Sequence, residues 1–327
     1  MIKFFRQSYA IQYVVIALLA IALWIPALVS GNTTSGLADP VTPIFNLVDG
    51  LLDFSPFVQN LFAFLLLVLE TLIFNAILVK NQIVGKVSTM GAFVFVLLMS
   101  LTGMQTNFYP FALSVVFILL VISNLFDVYQ LPNPELNLLK TGIFIALASM
   151  CYFPSILLLL WVFITLPMAK KGTLRLQLIP IFGCLFVYLL YFVGVYLFGD
   201  FLLMIAGYRD YFTSIKFSVE GFNLKTICLL ALIIVPSILL FLGGGNANFE
   251  KSVAVRTKIS MTFIMLVFAL LMLFLGNNVL MDGLLFVVLS ILVSYAFTSL
   301  GNTGWADMFM VFFLILVFAN HYYFKLL

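Results

Sequence analysis

Long apolar runs follow one another along almost the whole chain, and they constrain the fold more than any other feature. They cover residues 10–29, 57–79, 87–103, 108–126, 141–168, 177–198, 224–243, 258–275, 279–298 and 305–324. An α-helix needs about 20 apolar residues to cross a hydrocarbon core of about 30 Å. Only 8% of the residues are charged and 65% are hydrophobic, whereas soluble globular proteins are about one quarter charged. The sequence therefore predicts an all-α polytopic membrane protein, and it excludes a soluble enzyme and a nucleic-acid-binding protein.

Histidine and cysteine are too few and too scattered for two common kinds of active site. His321 is the single histidine, and Cys151, Cys184 and Cys228 each lie in or beside an apolar run. This arrangement offers neither a Cys/His metal set nor a Ser-His-Asp triad. We expect the cysteines to be small core residues, and we predict no metal and no cofactor.

The run 142–168 has two possible structures, because it contains Pro154. It is either one long kinked helix or two short helices that meet at a turn. With the N-terminus in the cytoplasm, two short helices place 11 lysines and arginines inside and 4 outside, whereas one helix gives 9 and 6. Since cytoplasmic loops carry an excess of basic residues, the charge count favours two short helices.

This choice fixes the predicted topology. It gives about 11 membrane segments in one integral domain, 1–327, and places loops 30–56 and 199–223 on the same outer face. Each half of the split run is too short to cross the bilayer, and such half-helices usually line a cavity. We therefore expect a site near Pro154.

The first outer loop contains an amphipathic segment, 43–54, with the sequence PIFNLVDGLLDF. Asn46, Asp49, Gly50 and Asp53 recur at helical spacing opposite the apolar side chains, which predicts a helix lying in the membrane interface. Asp49 and Asp53, one turn apart, either form the solvated face of this helix or belong to a site, where they would coordinate a divalent cation or where one would act as a base whose pKa the other raises. Asp39 is the remaining carboxylate of this loop.

Glu70 lies in the middle of the second apolar run. A carboxylate at this depth is costly unless it faces a cavity, has a partner or is protonated, so it is a candidate binding residue. The alternative is a neutral side chain that hydrogen-bonds between packed helices.

The second outer loop brings basic and aromatic residues to the outer face. Arg209 and Lys216 are candidates to bind an anionic lipid phosphate, and Tyr208 and Tyr211 are candidate interfacial anchors or sugar platforms. The alternative is a surface loop whose charges pair with one another.

The front half of the chain resembles the polytopic GT-C class of glycosyltransferases. The resemblance rests on three features: one helix followed by an acidic outer loop, the segment ILVKNQIVGK (77–86), and the segment GIFIALASMCYFPSILLLLWVFITLPMAKKG (142–172). In the last segment, Gly142, Ala146 and Ala148 occupy the family's small-residue positions, and Pro154 occupies the position of its break. The region 57–198 also resembles an uncharacterised family of bacterial inner-membrane proteins, through FNAILVKN (74–81) and ALASMCYFPSILLLL (146–160). The likeness covers about residues 1–200, and helices 201–327 are variable.

The GT-C resemblance implies a polyprenyl-phosphate-linked sugar donor at the periplasmic face of the bacterial inner membrane, with an acidic residue of the first outer loop as the catalytic base. Asp39, Asp49 and Asp53 are the candidates, and Glu70, Tyr208, Arg209 and Lys216 are candidate substrate-binding residues. The family's acid stands at the end of the first helix, where this chain reads SGNTTSGLADP (30–40), so either Asp39 is displaced by an insertion or the chemistry is lost. Two alternatives therefore stay open: a non-catalytic subunit of an envelope export or assembly complex with membrane-protein partners, and a transporter or flippase.

Overall fold

The computed structural model contains thirteen α-helices and no strand in the part of the chain that it describes, residues 2–7, 9–30, 41–52, 55–85, 87–100, 108–214, 252–275, 283–299 and 303–319. The helices are α1 Ile2–Phe5, α2 Ala10–Ser30, α3 Pro43–Leu51, α4 Pro56–Lys80, α5 Met90–Met99, α6 Pro110–Val128, α7 Glu135–Cys151, α8 Leu158–Met168, α9 Leu174–Phe198, α10 Phe201–Ser214, α11 Val253–Leu275, α12 Leu284–Ser299 and α13 Thr303–Ala319. A 3₁₀ segment, Phe153–Leu157, separates α7 from α8. The all-α prediction is confirmed for these residues.

Proline marks the start of several helices. Pro43, Pro56 and Pro110 begin α3, α4 and α6, at positions where a missing N–H costs nothing. Ser55 caps α4 through its Oγ, which accepts a hydrogen bond from Val58 N across 3.3 Å. These local signals set the helix boundaries at the ends of the apolar runs.

Four helices are long and apolar enough to cross a membrane within the described residues: α4, α6, α9 and α11. Several shorter apolar helices accompany them, among them α2, α5, α8, α12 and α13. The predicted 224–243 segment lies outside the described residues. Large apolar side chains remain exposed along α4 and α9, as expected of helices that face lipid.

The chain doubles back at Pro154. Lys171, just after α8, donates a hydrogen bond through Nζ to the carbonyl of Pro132, 3.2 Å away, just before α7. Arg175 forms a salt bridge with Glu135, with 3.0 Å between Nη2 and Oε1. The end of α8 therefore lies beside the start of α7. The prediction of two helices that meet at a turn is confirmed, and the alternative of a single kinked helix is wrong. Helix α7 has 17 residues and is longer than its half of the run, because it begins at Glu135, before the run starts.

Helices α7 and α9 consequently run parallel and pack closely. Backbone atoms of Leu139 and Ile143 lie next to Gly183, and the Ser149 hydroxyl lies 2.7 Å from that of Tyr188. Small residues let the two backbones approach each other, as is common between membrane helices.

Most of the described basic residues gather at one end of the bundle, and Arg209 is the exception. Lys80 pairs with Asp127 at 2.6 Å, Lys171 and Arg175 contact the segment that links α6 to α7, and Lys258 reaches the end of α4. Arg6 donates a hydrogen bond to the carbonyl of Phe297 at 3.2 Å, where α12 ends. We call this the basic end, and we call the opposite one, where α4 and α6 begin, the outer end.

Helix α5 forms the centre of the bundle. All ten of its residues are buried, and it packs against α2, α4, α12 and α13. It is about 15 Å long at 1.5 Å per residue, half of what a bilayer core requires. A small apolar gap between α5, α12 and α13 is lined by side chains such as Phe93, Val293 and Phe313.

Candidate functional site

Helix α3, predicted as the amphipathic helix of the first outer loop, lies at the outer end and packs against α7. Phe45 is buried and stacks on Phe108, with ring centroids 5.1 Å apart, whereas Leu47 and Leu51 are about 70% and 72% exposed. A helix with one apolar side packed and another exposed suits a position at the membrane interface. The predicted helix is confirmed over Pro43–Leu51.

The break between α7 and α8 lies at the same end. Tyr152, which follows α7, packs edge-to-face on Phe111 in the first turn of α6, with centroids 5.6 Å apart. Phe108, three residues earlier, contacts both Phe45 of α3 and Phe62 of α4. Helix α3 and the break therefore flank the start of α6.

The second outer loop contains a helix, α10, where the sequence predicted only a loop. Its aromatic side chains surround Phe153 of the break: Tyr208, Tyr211 and Phe212 lie at centroid distances of 5.8, 5.0 and 5.5 Å. Ring-on-ring packing of this kind holds α10 against the break. Tyr208, predicted as a substrate-binding residue, is thus part of the contact that places the helix.

Two other predicted site residues are described at the outer end. Asp49 on α3 is half-buried, and its Oδ1 accepts a hydrogen bond from Gln59 Nε2 of α4 at 3.3 Å. Arg209 on α10 is 76% exposed at its side chain, and its Nε lies 3.6 Å from Asp210 Oδ1. Asp49 is fixed against the bundle, whereas Arg209 faces outward. Asp39, Asp53 and Lys216 lie outside the described residues.

A polar stripe runs along the buried side of α4. It consists of Gln59, Asn60, Glu70, Thr71, Asn75 and Asn81, each at most 5% exposed. At 3.6 residues per turn these six positions fall within an arc of about 160°. The opposite face carries exposed leucines such as Leu65 and Leu72. Because the apolar residues outnumber the polar ones along the helix, average hydropathy hides the stripe.

Glu70 is the predicted site residue that the structure buries most. It is 1% exposed, and its Oε1 has no hydrogen-bond partner within the described part of the chain. Phe74, one turn away, stacks on Phe95 at 4.5 Å, and Asn75 Oδ1 accepts a hydrogen bond from Ala92 N at 3.3 Å. Because α4 and α5 run antiparallel with an equal rise, this register places Glu70 level with the last residues of α5.

The basic end holds a buried charge, Lys258, which the sequence alone identifies only as one of the basic residues that indicate topology. Lys258 of α11 is 0% exposed, and its Nζ donates a hydrogen bond to Asn81 Oδ1 at 2.7 Å. Asp127 attracts this ammonium group and Lys80 repels it. A fully buried lysine is rare unless it is paired. Nothing in the local sequence distinguishes Lys258 from its exposed neighbour Arg256.

The described residues contain no cluster of three or more histidine, cysteine or acidic side chains that would hold a metal ion. Cys151 and Cys184 are buried free thiols, as predicted, and Cys228 lies outside the described residues. The polar contacts at the outer end therefore come from carboxylate, amide, phenol and guanidinium groups.

Comparisons with models of known protein families, with curated proteins and with solved structures found no match.

Proposed function

We propose that this protein is a multi-pass protein of the bacterial inner membrane, with about 11 membrane segments and a cytoplasmic N-terminus. It acts on a polyprenyl-phosphate-linked sugar at the periplasmic face, in the manner of GT-C glycosyltransferases. One observation carries the proposal: the chain folds back at Pro154, and the break lies at the end of the bundle that also holds α3 and α10.

Charge supports the orientation. The basic end gathers Arg6, Lys80, Lys171 and Arg175, and positive charge marks the cytoplasmic side of membrane proteins. The outer end is then periplasmic. A sugar carried on a long lipid reaches such a site from within the bilayer, beside the exposed apolar faces of α3 and α9.

In the proposed reaction, a carboxylate of the first outer loop, Asp39 or Asp49, accepts the proton of an acceptor hydroxyl. The hydroxyl oxygen bonds to the anomeric carbon of the sugar while the bond from that carbon to the phosphate oxygen breaks. Polyprenyl phosphate leaves, and Arg209 and Lys216 stabilise its charge. Gln59 orients Asp49 through the hydrogen bond between them.

The test replaces Asp39, Asp49 and Asp53 together by Asn in the full chain. Removing a general base lowers a rate by about 100-fold or more, so we expect the cells to lose the glycan product and to accumulate the polyprenyl-phosphate-linked sugar. Mass spectrometry of lipids extracted from the membranes measures that pool. Glu135→Gln is the matched control, because Glu135 is a carboxylate at the basic end.

Normal glycan and normal lipid pools in the triple variant, at wild-type protein level, would contradict glycosyl transfer. That outcome would favour the non-catalytic subunit of an envelope assembly complex.

A further inference from the structure

Among the described residues, none supplies a counter-charge to Glu70 in the bundle. Among the described helices, α2, α5 and α6 pack against α4, α3 contacts it through Asp49, and α11 reaches its last residues. Their described titratable groups near the α4 surface are Tyr13, bonded to Asn75; Asp49, bonded to Gln59; Asp127, paired with Lys80; and Lys258, bonded to Asn81. None of these described groups bonds to the Glu70 carboxyl, and α5 carries no charge along its whole length.

Such a carboxyl group holds a proton. Moving an unpaired carboxylate out of water costs far more than moving the neutral acid, so burial without a counter-charge keeps the group protonated. Ser100 Oγ, at the end of α5, is also buried without a hydrogen-bond partner in the described residues. The register of α4 on α5 places these two groups at similar depth, so a polar position interrupts the apolar centre of the bundle.

The polar stripe of α4 connects Glu70 more closely to one end of the bundle than to the other. Thr71 and Asn75 follow Glu70 within five residues toward the basic end, and Asn81 continues the stripe to Lys258. Toward the basic end the longest interval in the stripe, from Asn75 to Asn81, is six residues and includes the buried Ile77 and Leu78. Toward the outer end the next buried polar residue of α4 is Asn60, ten residues from Glu70. The nearest polar groups therefore lie on the side of the basic end.

We propose that Glu70 is a proton-binding site in the centre of the bundle, and that its proton exchanges with water at the basic end through the polar stripe of α4. A buried acid with one-sided access is what a membrane protein needs to couple proton binding to a change in the bundle. This site is separate from the proposed glycosyl chemistry at the outer end.

The test is chemical modification of the wild-type full chain in proteoliposomes. Dicyclohexylcarbodiimide enters membranes and reacts with protonated carboxyl groups in apolar surroundings. Peptide mapping by mass spectrometry measures the labelled fraction of Glu70 while the pH is set separately on the two sides. Glu135, exposed and paired with Arg175, is the internal control carboxylate, and Glu70→Gln identifies the labelled peptide.

We expect Glu70 to be labelled at acidic pH, and the labelled fraction to fall at least fivefold when the pH is raised at the basic end only. Raising the pH at the outer end only is expected to leave the fraction unchanged. The proposal is overturned if Glu70 is not labelled at any pH, if labelling ignores the pH on both sides, or if it follows the outer end. These readouts use the wild-type chain, so they do not depend on whether Glu70→Gln folds.

Discussion

Gly142 of α7 lies directly against the backbone carbonyl of Pro180 on α9. A Cβ atom placed on Gly142 would stand 2.0 Å from that oxygen, a distance that no side chain tolerates. The contact involves backbone, which cannot rotate out of the way. The parallel packing of α7 and α9, and with it the fold-back at Pro154, therefore depends on the missing side chain.

Replacing Gly142 by Ala is expected to force α7 and α9 apart. Overpacking of this kind costs about 2 kcal/mol, which lowers the unfolding temperature in detergent by several degrees. Gly194→Ala on α9 is the matched control, because a Cβ there has nothing within 4 Å. Equal unfolding temperatures for the two variants would show that the close approach does not limit stability.

The two ends of the bundle are expected to face opposite sides of the membrane. In a chain without its native cysteines, Arg175→Cys and Arg209→Cys place single thiols at the basic end and on α10. An impermeant maleimide added to intact cells should label position 209 and spare 175, and inverted membrane vesicles should give the reverse. Labelling of both positions from the same side would be incompatible with the proposed topology and with a shared periplasmic site.

Asn81 is expected to contribute strongly to the stability of the protein, because its side chain accepts a hydrogen bond from the buried ammonium group of Lys258. Asn81→Leu leaves that charge without its acceptor and should cost about 3 kcal/mol. Lys258→Met should cost less, because the charge itself is gone. The double variant should then be more stable than the sum of the single effects predicts, by at least about 1 kcal/mol. Chemical unfolding of the four proteins measures the coupling, and strict additivity would rule out a direct dependence.

Phe153 is expected to hold α10 against the break. Phe153→Ala removes three ring contacts, each worth about 1 kcal/mol, and should free α10 while the rest of the bundle stays folded. Hydrogen exchange of residues 201–214 should then accelerate at least tenfold. Phe198→Ala is the control, since Phe198 is 92% exposed. Unchanged exchange in Phe153→Ala would mean that other contacts position α10.

The sequence alone determined the class of fold and favoured the fold-back at Pro154. Long apolar runs allow little besides helices that satisfy their own backbone hydrogen bonds, and the distribution of lysine and arginine favoured two short helices over one long one. The amphipathic helix of the first outer loop could also be predicted from the sequence, because the recurrence of apolar and polar residues at helical spacing is a local signal.

The tertiary structure alone decided which polar residues come together. The sequence offered Glu70 as an isolated acid, whereas its burial beside the end of α5 depends on how α4 packs. The contact between Lys258 and Asn81 joins residues far apart in the chain, and the aromatic cluster of α10 around Phe153 required a helix that the loop composition did not indicate. Composition and periodicity report what each segment prefers by itself. Partners across the bundle are chosen by the close fit of helix surfaces, and no single segment carries that information.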